Sequence, residues 1–215
     1  VNFTSPELST GDTLIFIRAY NLRPGIWKFR LTGEYIVEGN YYAWIPQREL
    51  IDDETKFLNP VEYTTITLPS TSNNAISVGY YNQNNNSIVS ESSNGYTRYG
   101  NIKPDIVAGG SNALVTIPGG ATSVMSGSSV AGAVVAGCCA LILQWAVTDG
   151  NYPGIYSSQI KTYIISGAKT RPGDIYPNRQ WGYGMFDLQR IFDWIQQTYT
   201  PRINDDFEEY RVKNL

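Results

Sequence analysis

From Val130 to Trp145 the chain carries one polar side chain, Gln144, and it does so in mid-sequence. An apolar run of that length has two physical homes, a hydrocarbon layer or the interior of a layered domain. The run holds Gly132 and Gly137 and has no basic flanks, which favours a core helix over a membrane span. Gly132, Ala136 and Ala140 recur at helical spacing and leave room for a sheet to approach closely. Strand material lies upstream. Asn74-Ala75-Ile76-Ser77-Val78-Gly79-Tyr80 and Lys103-Pro104-Asp105-Ile106-Val107-Ala108-Gly109-Gly110 read as buried strands, and Leu114-Val115-Thr116-Ile117 as a shorter one. Strands feeding a long apolar helix predict an α/β layer with that helix buried against a mostly parallel sheet. Downstream, residues 156–165 predict a second helix, capped by Ser157 or Ser158 and ended by Gly167. A glycine-rich turn covers 180–187, and an amphipathic helix runs over 187–199, stopped before Pro201. Residues 201–215 mix both charges and read as a surface tail.

The entry to the apolar run is where chemistry is expected. Gly127 before two serines permits a sharp turn free of Cβ clash. Ser128 and Ser129 then fall on the first helical turn, where backbone donors lack partners and the field favours negative charge. A nucleophilic hydroxyl whose attack creates an oxyanion belongs at such a place. The plainer alternative is that Ser128 caps a core helix, as serine commonly does. Histidine is absent from all 215 residues, so no Ser–His dyad forms within this chain, and any histidine base comes from elsewhere. A Ser–Lys dyad through Lys161 or Lys169 is the in-chain alternative, and nothing in the spacing supports it.

Residues 1–70 have a different character. Residues 13–20, 26–33, 34–37 and 41–46 read as short strands separated by turn chemistry such as Pro24-Gly25 and Glu38-Gly39-Asn40. They predict a β-sandwich or jelly roll of 1–70, followed by an α/β part over 71–200. Most tyrosines and tryptophans there are expected in the core, the alternative being a sugar-binding face. Glu49, Asp52, Asp53 and Glu54 form an acidic cluster without calcium-loop spacing, hence a solvated loop. Net charge is −3 with both signs interspersed, so neither a nucleic-acid stripe nor a polybasic membrane segment is present. Cys138 and Cys139 are adjacent, a poor geometry for a disulfide, and are expected to be buried thiols. Val1-Asn2-Phe3-Thr4 has neither a basic nor an apolar leader character, and the expectation is of an excised piece.

Gly127-Ser128-Ser129-Val130-Ala131, followed by Val135-Ala136-Gly137, resembles the active-site serine block of the subtilisin-like (subtilase) serine proteases. The register puts the nucleophile at Ser129. Ser128 stands where that family usually has Thr, and Ala133 where it usually has Pro. Ala75-Ile76-Ser77-Val78-Gly79, Ser92-Ser93-Asn94-Gly95 and Trp181-Gly182-Tyr183-Gly184 resemble further family segments in the family's order. Lys103-Pro104-Asp105-Ile106-Val107-Ala108-Gly109-Gly110 does so too, with Gly109 in place of a usual Pro. The β-rich front, with Trp27-Lys28-Phe29-Arg30-Leu31-Thr32-Gly33 and Ala43-Trp44-Ile45-Pro46-Gln47-Arg48-Glu49-Leu50, resembles the jelly-roll insert of the clostridial Csp-type subtilases linked to spore germination.

The resemblance implies the C-terminal half of an endopeptidase acting on polypeptides. Ser129 would be its nucleophile, with Gly127 and Ser128 supporting the loop and the oxyanion site. The Asp and His of the triad, and the oxyanion-hole asparagine, would lie in an N-terminal half; Asn40 is not that asparagine. It implies no metal or organic cofactor, no nucleic-acid or membrane partner, and a secreted or spore-associated setting. A half-domain would be inert alone, and its open sheet edge and apolar faces would favour self-association or domain swapping. Two other readings stay open: a fragment of a pseudoprotease, and a β-sandwich binding module joined to an α/β domain.

Overall fold

The computed structural model describes residues 1–6, 8, 11–36, 39–46 and 50–198. It divides into two compact units, Val1–Lys56 and Phe57–Leu215. The division falls earlier in the chain than the change in composition near residue 70. The reason is local: Thr65 donates its N–H to Asn94 O at 2.9 Å and accepts the Asn94 N–H on Oγ1 at 2.8 Å, which binds this segment into the second unit.

In the first unit, strand β1 (Asn2–Thr4) pairs antiparallel with β2 (Leu14–Phe16). Among the described residues, 26–33 and 41–46 carry no strand pairing. Alternation marks a strand that has an apolar face to bury, and here that face is open. Trp27, Phe29 and Leu31 are exposed, as are Tyr41 and the stacked pair Tyr42 and Trp44, 5.6 Å apart between ring centroids. The aromatics expected in a core are therefore on the surface of this unit. In the acidic segment, Asp52 Oδ1 accepts the Glu54 N–H at 2.9 Å, a turn rather than a ligand loop; Glu49 lies outside the described residues.

The second unit is built on a three-stranded sheet. Strand β3 (Val78–Asn82) runs parallel to β5 (Ile106–Gly109), with Val78 opposite Ile106 and Tyr81 opposite Gly109. The short β4 (Ser87–Ile88) pairs antiparallel with β3, so the sheet is mixed. The asparagine-rich connection explains itself. Asn82 Oδ1 accepts the Asn84 N–H and Asn85 Oδ1 the Ser87 N–H, both at 3.0 Å, and Asn86 takes the left-handed φ of +54° that asparagine tolerates. Ile106, Val107 and Ala108 are all buried, as in a strand covered on both faces. On its other side β5 takes the chain near Met185, where Phe186 N–H donates to Val107 O at 2.7 Å.

A hairpin of β6 (Ala113–Thr116) and β7 (Thr122–Met125) follows the sheet and leads into helix α1 (Ser128–Leu143). A π-helical turn over Gln144–Thr148 extends α1. Ala131, Val135, Ile142 and Ala146 are buried and share one core with Tyr80, Ile106 and Ala108. The helix is not buried all round. Val134, Leu141, Leu143 and Val147 are between 41% and 49% exposed. By length and composition Ser128–Thr148 would also span a membrane, a test that core helices pass as well. Cys138 and Cys139 are free, half-buried thiols, both pushed up in pKa by burial, Cys139 further by its neighbour.

Helix α2 (Ser157–Ser166) is capped by Tyr156, not by either serine: Gln159 Oε1 accepts the Tyr156 N–H at 3.0 Å. Helix α3 (Leu188–Thr198) packs on it through Ile191 and Ile195, and Trp194 meets the Tyr163 ring at 5.6 Å. Tyr199 and the tail 201–215 lie outside the described residues.

Candidate active site

The hairpin β6–β7 ends at Met125, Ser126 follows, and Gly127 turns the chain into α1 with φ +143°. That angle is strained for any residue with a Cβ, so glycine is required there. Gly127 is the N-cap, and no side chain caps the helix. Ser128 therefore does not perform the capping role that the plainer reading gave it. Gly127 O accepts the N–H groups of Val130 at 3.1 Å and Ala131 at 3.3 Å. The N–H groups of Ser128 and Ser129 have no acceptor among the described residues. Both serines are exposed on the first turn of a sixteen-residue helix, where the dipole and the open amides favour a developing negative charge.

The turn rests on a seat at the end of β5. Gly127 N–H donates to Gly110 O at 2.8 Å. Asn112 N–H donates to Ser126 Oγ at 2.8 Å. Gly110 must lack a side chain, because a Cβ would lie 2.8 Å from Gly127 O and 2.9 Å from the Tyr80 Cβ. Between them, Ser111 is held by the Gln83 carboxamide, whose Nε2 donates to Ser111 O and whose Oε1 accepts the Ser111 N–H at 3.1 Å. Beyond the two glycines nothing in the sequence signals this seat: Gln83, Ser111 and Asn112 belong to no motif and meet the turn only through the fold.

A charged network sits elsewhere in the unit. Asp105 Oδ2 accepts Lys103 Nζ and the Ser77 N–H, each at 2.7 Å, and Oδ1 takes Lys161 Nζ at 2.8 Å. Ala75 O receives Lys103 Nζ at 2.9 Å, and Asn73 O receives Lys161 Nζ at 2.9 Å. Burial pushes the Lys103 pKa down, and Asp105 partly restores it. Lys161 is thus committed to tying α2 to the sheet and is not paired with Ser129. Among the described residues no group of three or more His, Cys, Asp or Glu is placed to hold a metal.

A sequence model of the subtilase family matches residues 52–184. The chain belongs to the subtilase family. It is 40% identical to the CspB protease of Clostridium perfringens, with a TM-score of 0.64, over 67% of this chain and 32% of that one. The resemblance to Csp-type subtilases is met by that likeness. The membrane-bound transcription factor site-1 protease of Mus musculus is 31% identical over 147 residues, 65% of this chain and 13% of that protein. The prenylagaramide maturation protease PagA shares the fold at 22% identity, with a TM-score of 0.52, over 61% of this chain and 46% of that one. This subtilase chain therefore spans about a third of CspB and a smaller share of the site-1 protease.

Proposed function

We propose that this chain carries the nucleophile of a subtilisin-type serine endopeptidase, Ser129, and that the histidine and aspartate of the triad come from polypeptide outside these 215 residues. The single observation that carries the reading is the exposed Ser129 hydroxyl on the uncapped first turn of α1, directly after Gly127 at φ +143°. Ser129 Oγ attacks the carbonyl carbon of a peptide bond. The incoming histidine takes the Oγ proton and later delivers it to the leaving amine, while the aspartate orients that histidine. The Ser129 N–H donates to the oxyanion, a contribution of roughly 3–4 kcal/mol for one such donor. Ser128 supports the same loop through its hydroxyl. No cofactor enters this scheme.

On this reading residues 1–70 complete a jelly-roll insert in company with further strands, which gives the exposed Trp27, Phe29 and Leu31 a face to cover. The whole protein then acts on a polypeptide in spore germination, as a Csp-type protease. The chain alone is inert, because triad members act as a unit and loss of the base costs several orders of magnitude.

Fluorophosphonate labelling, located by peptide mass spectrometry, tests this on the chain and on the longer gene product. Labelling at Ser129 in the longer protein, and not in the chain alone, is the expected result. Absence of labelling in both would overturn the reading in favour of a pseudoprotease or a binding module.

A further inference from the structure

The seat beneath the nucleophile turn lies just past the point where the sheet ladder ends. Gly110 N–H still donates to Tyr81 O at 3.2 Å, the last main-chain bond that joins this segment to β3. Ser111 comes next and is 8% exposed, so its N–H and C=O need partners that the ladder no longer provides. One carboxamide supplies both: Gln83 Oε1 accepts the N–H, and Gln83 Nε2 donates to the C=O. It acts as a neighbouring strand would, one residue beyond the end of β3. The residues on either side of Ser111 hold the nucleophile turn, Gly110 through the Gly127 N–H and Asn112 through Ser126 Oγ, both at 2.8 Å.

We infer that Gln83 is a positioning residue, which fixes the Ser126–Ser129 turn by bridging both main-chain groups of Ser111. The catalytic meaning of that turn rests on the reading of Ser129 as nucleophile; its mechanical coupling to Gln83 does not. Gly109 belongs to the same device. A Cβ at 109 would stand 3.1 Å from the Gln83 Cβ and 3.3 Å from its Oε1, so the missing side chain is the space in which Gln83 lies over the strand end. The glycine found where the family resemblance leads one to expect proline thus has a physical partner in this chain.

Hydrogen exchange on the 215-residue chain tests the coupling with Gln83→Met and Gln83→Glu. The Met variant keeps the length of the side chain and loses both hydrogen bonds. The Gly127 and Asn112 amides should then exchange about thirtyfold faster, the effect of losing two bonds of ordinary strength. Val107 and Phe186, bonded at 3.0 and 2.7 Å across β5, should keep their protection. In Gln83→Glu an ionised carboxylate still accepts the Ser111 N–H but faces the Ser111 C=O. Protonated below the ordinary carboxyl pKa of about 4.3, it regains a donor. Its protection should return to the wild-type level there, once corrected for intrinsic rates, while the Met variant stays fast; a merely structural role gives no such pH signature. In the longer protease Gln83→Met should lower kcat about tenfold and leave KM within about twofold. Unchanged exchange at Gly127 and Asn112, or equal acceleration through Val107 and Phe186, overturns the inference. A longer protease whose wild-type Ser129 does not label would sink the nucleophile reading and leave the exchange result standing.

Discussion

Asp105→Ala isolates the charged network of the second unit. The side chain of Asp105 is 4% exposed and that of Lys103 1%, whereas Lys161 is 19% exposed. The substitution strips Lys103 of its carboxylate and leaves an ammonium held by Ala75 O at 2.9 Å. Removing one partner of a buried ion pair costs about 3–5 kcal/mol. The partly solvated Lys161 pair adds at most about 1 kcal/mol. A loss of about 4 kcal/mol is expected in urea unfolding followed by tryptophan fluorescence, a large part of the roughly 5–15 kcal/mol that holds a domain together. The loss should shrink at alkaline pH, and the sign follows from Lys103. Burial already lowers its pKa from the ordinary 10.5, against the pull of Asp105. Without Asp105 that pKa falls further, while the unfolded chain keeps its proton up to about 10.4. Between those two values the unfolded state binds more protons, so the stability of the variant rises with pH relative to wild type. A loss below about 1 kcal/mol at pH 7 would refute the reasoning. So would a deficit that stays constant up to pH 10.

Two further outcomes are expected. Cys138 and Cys139 have folded pKa values raised above the ordinary 9.0, so their contribution to stability is complete below pH 9 and is lost as pH climbs through the folded values. Iodoacetamide at pH 8.5 should alkylate the unfolded chain faster than the native one, and equal rates would refute this. The exposed face of α1 at Val134, Leu141, Leu143 and Val147 should make the chain self-associate. Light scattering should then show a mass that rises with concentration, and Leu141→Lys should shift it toward the monomer; a wild-type monomer at all concentrations would count against the idea.

The second unit was legible because its signals are local. The apolar β5 core Ile106-Val107-Ala108, the small residues of α1, and the Ile160/Ile164 and Ile191/Ile195 pairs of α2 and α3 each carry their burial in their own sequence. Strand β7 was missed because Thr122-Ser123-Val124-Met125 has weak alternation and owes its conformation to pairing with β6. Tyr156 was missed as a cap because its N–H is satisfied by Gln159, a reverse bond that an N-cap residue list does not anticipate. The front of the chain failed for the opposite reason. Its alternation is clear, but alternation states only that a face is apolar and not what covers it, and in this unit nothing among the described residues does. At the candidate site, glycine-serine chemistry was visible in one short stretch. The seat was not, since Gln83, Ser111 and Gly127 meet only after β3 and β5 have paired.

Two independent observations bear on the proposed division of labour between this chain and further polypeptide. One is chemical: an exposed serine on the uncapped first turn of α1, in a chain with no histidine. The other is mechanical. Helix α1 buries Ala131, Val135 and Ile142 on the sheet and leaves Val134, Leu141 and Leu143 to solvent. An amphipathic surface helix would carry polar residues on that outer face; this one carries apolar residues on both. Its sequence is thus suited to a helix covered on two sides, and one covering segment that also brought a base to the exposed Ser129 would answer both deficits. A second copy of this chain could cover the helix face but would bring no histidine, so self-association answers the mechanical deficit and leaves Ser129 without a base. Oligomers of the chain should therefore stay unlabelled by fluorophosphonate, and labelling in such oligomers would break the argument.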